Sequence, residues 1–159
     1  MNIRVGFGYD VHQLKAGEDF FLGGIKLEHH KGATGHSDAD VLIHTICDAI
    51  LGAANLRDIG FHFPPTDPQY KGIDSKELLL EVMQLLRSKK YELSNIDCTV
   101  VLQEPKVNPV IPKMIHVLAE CMSIDEDQIS IKATTSEKLG FEGREEGVSA
   151  YATVLIYQS

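Results

Sequence analysis

The sequence predicts a mixed α/β sandwich, with about four main strands in one sheet and three helices stacked on one face. Three observations carry this reading. Alternating apolar and polar residues open the chain, recur near residue 95 and close it. Between them lie stretches whose apolar residues recur at three and four, the helical spacing. No repeat, low-complexity tract or Ser/Pro/Gly linker divides the 159 residues, so residues 1–159 are read as one domain, long enough to bury a core without disulfides.

Residues 2–9 alternate as a strand, and "FFLGGIKL" (20–27) reads as a second strand region bent at Gly23-Gly24. From Ser37 the period changes. Val41, Leu42, Ile46, Ala49, Ile50 and Ala53 predict a helix over roughly residues 38–54. Three prolines in the loop 57–73 forbid a long helix there. Asp74 with Glu77 makes a capping-box-like start to "SKELLLEVMQLLRSKK", whose basic end suits the helix dipole. "NIDCTVVLQEP" alternates as a strand, and "PVIPKMIHVLAECMS" reads as a third helix with a proline tolerated in its first turn. "ISIKATT" and "VSAYATVLIYQS" supply two closing strands. The last is mostly apolar on both faces, which places it centrally or against another subunit. The expected fold is therefore an α+β sandwich with a mixed four-stranded sheet in a ferredoxin-like arrangement.

Composition narrows the function. Hydrophobic residues make up 43% of the chain, yet no apolar run approaches the ~20 residues that span a bilayer. The N-terminus reads as strand rather than as a signal peptide. Cys47, Cys98 and Cys121 are odd in number and far apart, which suggests buried small hydrophobes in a reducing cytoplasm. A net charge of −8 with no basic stripe argues against a nucleic-acid partner. It leaves room for a small phosphorylated ligand held by a few local cations and a metal.

Three clusters carry chemistry. In "GYDVHQL" a strand sends Asp10 and His12 to one face and Val11 to the other. In "GHSDAD" (35–40), Asp38 can cap or enter the first turn of the following helix, and His36 lies just outside that turn, near N–H groups that suit a phosphate oxygen. Within that helix His44 shares a stripe with Asp40 and Asp48, one of which can fix its tautomer while its other nitrogen binds a metal. Should the helix start pack near the strand end, Asp10, His12 and His44 converge as two imidazoles and a carboxylate with an open position, the pattern of a catalytic zinc site. The plainer alternative makes His12 a strand-end surface residue and His44 a solvated one, and the spacing alone leaves both open. The third cluster, "IKATTSEKLGFEGREEG" (131–147), offers hydroxyls and N–H groups that can cradle phosphate. There Glu137 can hold Mg²⁺ and the Arg144 fork can meet a diphosphate; an ordinary polar loop is the alternative.

Together "GYDVH", "GHSDADVLIH", "LGAANLRDIGFHFPPTD", "YKGIDS" and "KATTSEKLGFEGREEG", with the lengths between them, resemble the 2-C-methyl-D-erythritol 2,4-cyclodiphosphate synthase family over essentially the whole chain. The resemblance implies a cyclising, CMP-releasing phosphorus–oxygen lyase of non-mevalonate isoprenoid biosynthesis, acting on 4-diphosphocytidyl-2-C-methyl-D-erythritol 2-phosphate. It implies zinc on Asp10, His12 and His44, and a second divalent ion, Mg²⁺ or Mn²⁺, on Glu137. His36 and Thr135 correspond to groups that align and stabilise the reacting phosphates. Asp58, Ile59 and Gly60, and the loop of Phe63, Pro64, Pro65, Thr66 and Asp67, match the methylerythritol-phosphate region. Leu102, Gln103, Glu104, Pro105, Lys106, Val107 and Asn108, with Thr134, Thr135, Ser136 and Glu137, match the cytidine diphosphate site. Val11, Ser37, Phe141 and Arg144 complete the implied substrate contacts. The family assembles as homotrimers with active sites between subunits. Pro65, Glu145 and Tyr9 depart from its common residues, Tyr9 at a central cavity linked to isoprenoid diphosphates. Two other readings compete: a metal-dependent phosphohydrolase using a bound water, and a non-catalytic trimer that binds isoprenoid diphosphates.

Overall fold

In the computed structural model, which describes residues 2–158, the N-terminal alternation becomes one long strand, β1 (Asn2–Ala16). It runs into β2 (Phe20–Leu22), β3 (Ile25–Leu27) and β4 (Lys31–Thr34). Helix α1 (Val41–Ala53), the single turn α2 (Ile59–His62) and α3 (Ser75–Ser88) precede β5 (Glu92–Val101). Helix α4 (Ile111–Met122) leads to β6 (Ile129–Thr134), and the turn α5 (Gly140–Gly143) to β7 (Gly147–Gln158).

The mixed sheet has five strands rather than four, in the order β4-β1-β7-β5-β6. The extra strand, β4, pairs with the end of β1 from Gln13 to Ala16; its four residues are too few to show an alternation in sequence. "FFLGGIKL" is not a bent strand of this sheet but a separate hairpin, β2–β3, with Leu22 opposite Ile25. Gly23 (φ 60°) and Gly24 (φ 79°) fill its two-residue turn, where both positions need positive φ. The ferredoxin-like arrangement does not hold either. That pattern runs β-α-β-β-α-β, whereas here the main strands follow β-α-β-α-β-β and β7 returns between β1 and β5. Among the described residues only β5 and β6, joined through α4, pair in parallel. The apolar β7 is central, as its composition predicts.

The helices lie on one face: α1 rests on β1 and β7, α3 packs on α1, and α4 packs on α3 and β6. Gly6 and Gly8 let α1 approach β1. A Cβ would stand 1.9 Å from the Ala49 carbonyl oxygen at the first and 2.1 Å from that of Thr45 at the second. The other face of β1 presents Ile3, Val5, Phe7, Tyr9 and Val11 to solvent, with Val5 66% and Phe7 65% exposed. Cys47 and Cys98 are buried as expected, while Cys121 is only half-buried. Among the described residues no helix is long and apolar enough to cross a membrane.

Candidate metal centre

Asp10 and His12 point from β1 toward the helix layer, and Val11 points away, as the period of two requires. The glycine-mediated approach of α1 sets His44, one turn into that helix, against them. Asp10 Oδ2 lies 3.0 Å from His12 Nε2 and 3.1 Å from His44 Nδ1, and the two ring nitrogens are 3.0 Å apart. Three donors at tetrahedral vertices about 2.0–2.1 Å from a divalent ion stand roughly 3.3 Å apart, so this near-equilateral set fits such an ion. Among the described residues it is the one His/Cys/Asp/Glu group of that kind. Burial opposes charge on Asp10, but the His12 and His44 rings, which donate to it when protonated, outweigh burial and hold the carboxyl well below the usual carboxylate range. Burial likewise disfavours an imidazolium at His44, yet the hydrogen bond and charge of Asp10 lift its pKa above the ordinary value.

The carboxylates expected beside His44 serve elsewhere. Asp40 is the N-cap of α1: it accepts from Ile43 N–H, and its oxygens also accept from Gly23 at 2.9 Å and Gly24 at 2.7 Å. Asp48 accepts from the Ile59 N–H at 2.7 Å and positions α2. The shared stripe was real, but both carboxylates are taken by backbone donors. Instead, His44 Nε2 meets Ser75 Oγ at 2.8 Å and Ser37 Oγ at 3.0 Å. Asp38 neither caps nor enters α1, which starts only at Val41. Its carboxylate crosses to α3, accepting from the Ser75 hydroxyl and the Ser75 N–H. His36 is correspondingly further from the first turn than expected. Ala39 at φ 59° intervenes, and His36 instead reaches the metal cavity from the loop.

Two cavities hold most of the remaining predicted residues. One, of about 240 Å³, is lined by the metal triad with His36, Ser37, Ile59, Gly60, Phe63 and Pro65. The sequence reading missed Tyr70, Ile73 and Leu78 in its wall, because nothing local ties that loop to β1. The other, about 290 Å³, is lined by Leu102, Pro105, Lys106, Val107 and Asn108 with Ala133, Thr134 and Thr135. The ladder aligns Val11, Ser149, Val101 and Thr134 across β1, β7, β5 and β6. Three strand spacings, about 14 Å, therefore separate the two rims at one end of the sheet. Asp58, Thr66 and Glu137 are exposed, Pro64, Asp67, Glu104 and Ser136 half-buried. Gln103 Oε1 accepts from the Lys138 N–H and ties the two loops of the second cavity together. Thr135 Oγ1 donates to Glu137 at 3.3 Å. The Arg144 fork is engaged by Glu146 at 3.0 and 3.1 Å, and Phe141 packs over Gly147. Val11 stays on the far face.

Fold and site together define a mixed α/β sandwich that carries a candidate metal centre beside a small cavity. The YgbB family model matches residues 3–157, and the chain belongs to that family. A 2-C-methyl-D-erythritol 2,4-cyclodiphosphate synthase of Parabacteroides distasonis is 67% identical over 156 residues, covering 98% of this chain and 97% of the relative. Among solved structures, the bifunctional IspDF from Campylobacter jejuni matches with a TM-score of 0.95 at 40% identity, over 99% of this chain and 43% of that longer one. A CDP complex of IspF from Plasmodium falciparum matches with a TM-score of 0.88 at 34% identity, over 99% of this chain and 97% of the other.

Proposed function

We propose that the chain converts 4-diphosphocytidyl-2-C-methyl-D-erythritol 2-phosphate to 2-C-methyl-D-erythritol 2,4-cyclodiphosphate and CMP. The observation that carries this is the convergence of Asp10, His12 and His44 within 3.1 Å of one another at a cavity rim, in a chain 67% identical to a synthase of that name. The metal held there is zinc, and Glu137 holds Mg²⁺ or Mn²⁺ with the substrate phosphates. Such cations, when bound, draw charge from phosphate oxygens and relieve the repulsion between two anionic groups.

The chain's own residues then position. Asp58, Ile59, Gly60 and the loop 63–67 hold the methylerythritol phosphate. Leu102 to Asn108 and Thr134 to Glu137 hold the cytidine diphosphate, with Lys106 as the cation. His36 and Thr135 align the reacting phosphates. An oxygen of the 2-phosphate attacks the β-phosphorus in line, the bond from that phosphorus to the bridging oxygen breaks, and CMP leaves with the oxygen. The nucleophile is already an anion at neutral pH, so positioning and charge neutralisation suffice and no covalent intermediate forms.

Each active site belongs to two subunits of a homotrimer. In one chain the cavity holding His36 and the one holding Thr135 lie three strands apart, too far to flank one phosphorus, whereas adjoining copies bring them together. The exposed apolar row from Ile3 to Val11 supplies a surface for that assembly. The three free cysteines suit a cytoplasmic enzyme. Incubation with the cytidyl substrate, zinc and magnesium, read by phosphorus NMR, tests the proposal: CMP and a cyclic diphosphate are expected. A linear phosphate product points to the phosphohydrolase, and no CMP at all to a binding trimer.

A further inference from the structure

We infer that Ser75 and Asp38 are positioning residues that fix the His44 tautomer and so aim its ligating nitrogen. The inference rests on the metal-centre reading above and concerns residues outside the ligand set. A hydroxyl has one hydrogen. The Ser75 hydroxyl gives it to Asp38, whose carboxylate can only accept and which takes the Ser75 N–H as well, at 3.0 Å. Ser75 Oγ therefore has only lone pairs left for His44 Nε2, 2.8 Å away, and that nitrogen must carry the N–H. In the neutral imidazole the lone pair is then on Nδ1, facing Asp10 Oδ2 at 3.1 Å and His12 Nε2 at 3.0 Å. Two acceptor atoms, Nδ1 and the Asp10 oxygen, then face each other and repel unless a cation sits between them.

Ser37 does not do the same work. Its Oγ is 3.0 Å from Nε2, but its hydrogen is committed to no carboxylate, so it serves either tautomer. Ser75 and Asp38 are both fixed by the fold: Ser75 is fully buried at the first turn of α3, and Asp38 also accepts from the Asp40 N–H at 3.2 Å. The relay thus ties the metal ligand on α1 to the start of α3, which packs beside it.

The test compares zinc affinity, measured by competition with a chromophoric chelator, for wild type, Ser75→Ala, Asp38→Asn and Ser75→Thr. Metal-free melting is recorded for each, with cobalt absorption as a reporter of ligand geometry. Ser75→Ala removes the committed acceptor. Asp38→Asn can donate its amide hydrogen to Ser75 and release the hydroxyl to donate to Nε2, which places the proton on the ligating nitrogen. Both are expected to bind zinc about ten- to hundredfold more weakly and to change the cobalt spectrum, while Ser75→Thr, which keeps the hydroxyl, stays near wild type. Should Ser75→Ala unfold, the isosteric Asp38→Asn and Ser75→Thr decide between them. Equal affinities across the folded variants overturn the relay. A wild type that binds no zinc overturns the metal centre itself, a separate and distinguishable result.

Discussion

At Gly8 the backbone of α1 comes so close that an added methyl group would lie 2.1 Å from the Thr45 carbonyl oxygen. The obstruction is backbone, so it cannot swing aside, and the helix must lift from β1. His44 sits one residue before Thr45 and travels with it. Gly8→Ala is therefore expected to cost about 3 kcal/mol, the upper end for overpacking. It should also weaken zinc binding, as chemical denaturation and metal titration of one preparation will show; unchanged affinity would separate the glycine from the site. The pairing of Asp10 with His12 was legible because a strand's period of two is local. That His44 joins them was legible only as a condition, since it depends on two glycines whose absent side chains leave no mark in a hydrophobic pattern. Ser75 was legible as a helix start but not as a partner of His44 thirty-one residues away.

Between elements, Asp40 joins the β2–β3 turn to the start of α1 through three backbone N–H groups. Asp40→Ala leaves these donors unpaired, those of Gly23 and Ile43 buried and that of Gly24 partly so. A loss of about 3 kcal/mol or more in denaturant unfolding is expected, and less for Asp40→Asn, which keeps one acceptor. A second link runs from α4 to the turn before β6, where His116 meets Glu126 at 2.8 Å. That hydrogen bond, with the charge of Glu120, raises the His116 pKa. A raised folded value means the contribution to stability is complete below the ordinary imidazole pKa and fades as pH climbs through the lifted one. Glu126→Gln should return the His116 titration toward ordinary values by NMR; an unmoved titration would contradict the link. The starts of α3 and α4 were legible because Asp74 and Pro112 act on their own helices. The start of α1 was misplaced because Asp38 and Asp40 are both plausible caps, and only the long-range contact of Asp38 with Ser75, together with the Asp40 cap itself, assigns the role to Asp40.

Over the whole molecule, the element types were legible and their pairing was not. Strand alternation does not say that β7 returns between β1 and β5, and four residues of β4 show no period at all. The same sheet keeps the two cavities apart, which the trimeric reading turns into a test. His12→Ala and Lys106→Ala, each inactive alone, should recover about a quarter of wild-type activity when co-assembled in equal amounts, since one shared site in four then draws an intact half from each chain. No recovery would place both halves in one chain. The most direct measurement of the central claim is the zinc content and CMP release of purified His44→Ala beside wild type. One zinc per wild-type chain, with metal and CMP release lost together in a folded variant, is the predicted result. A folded His44→Ala that keeps its zinc and its turnover would contradict it.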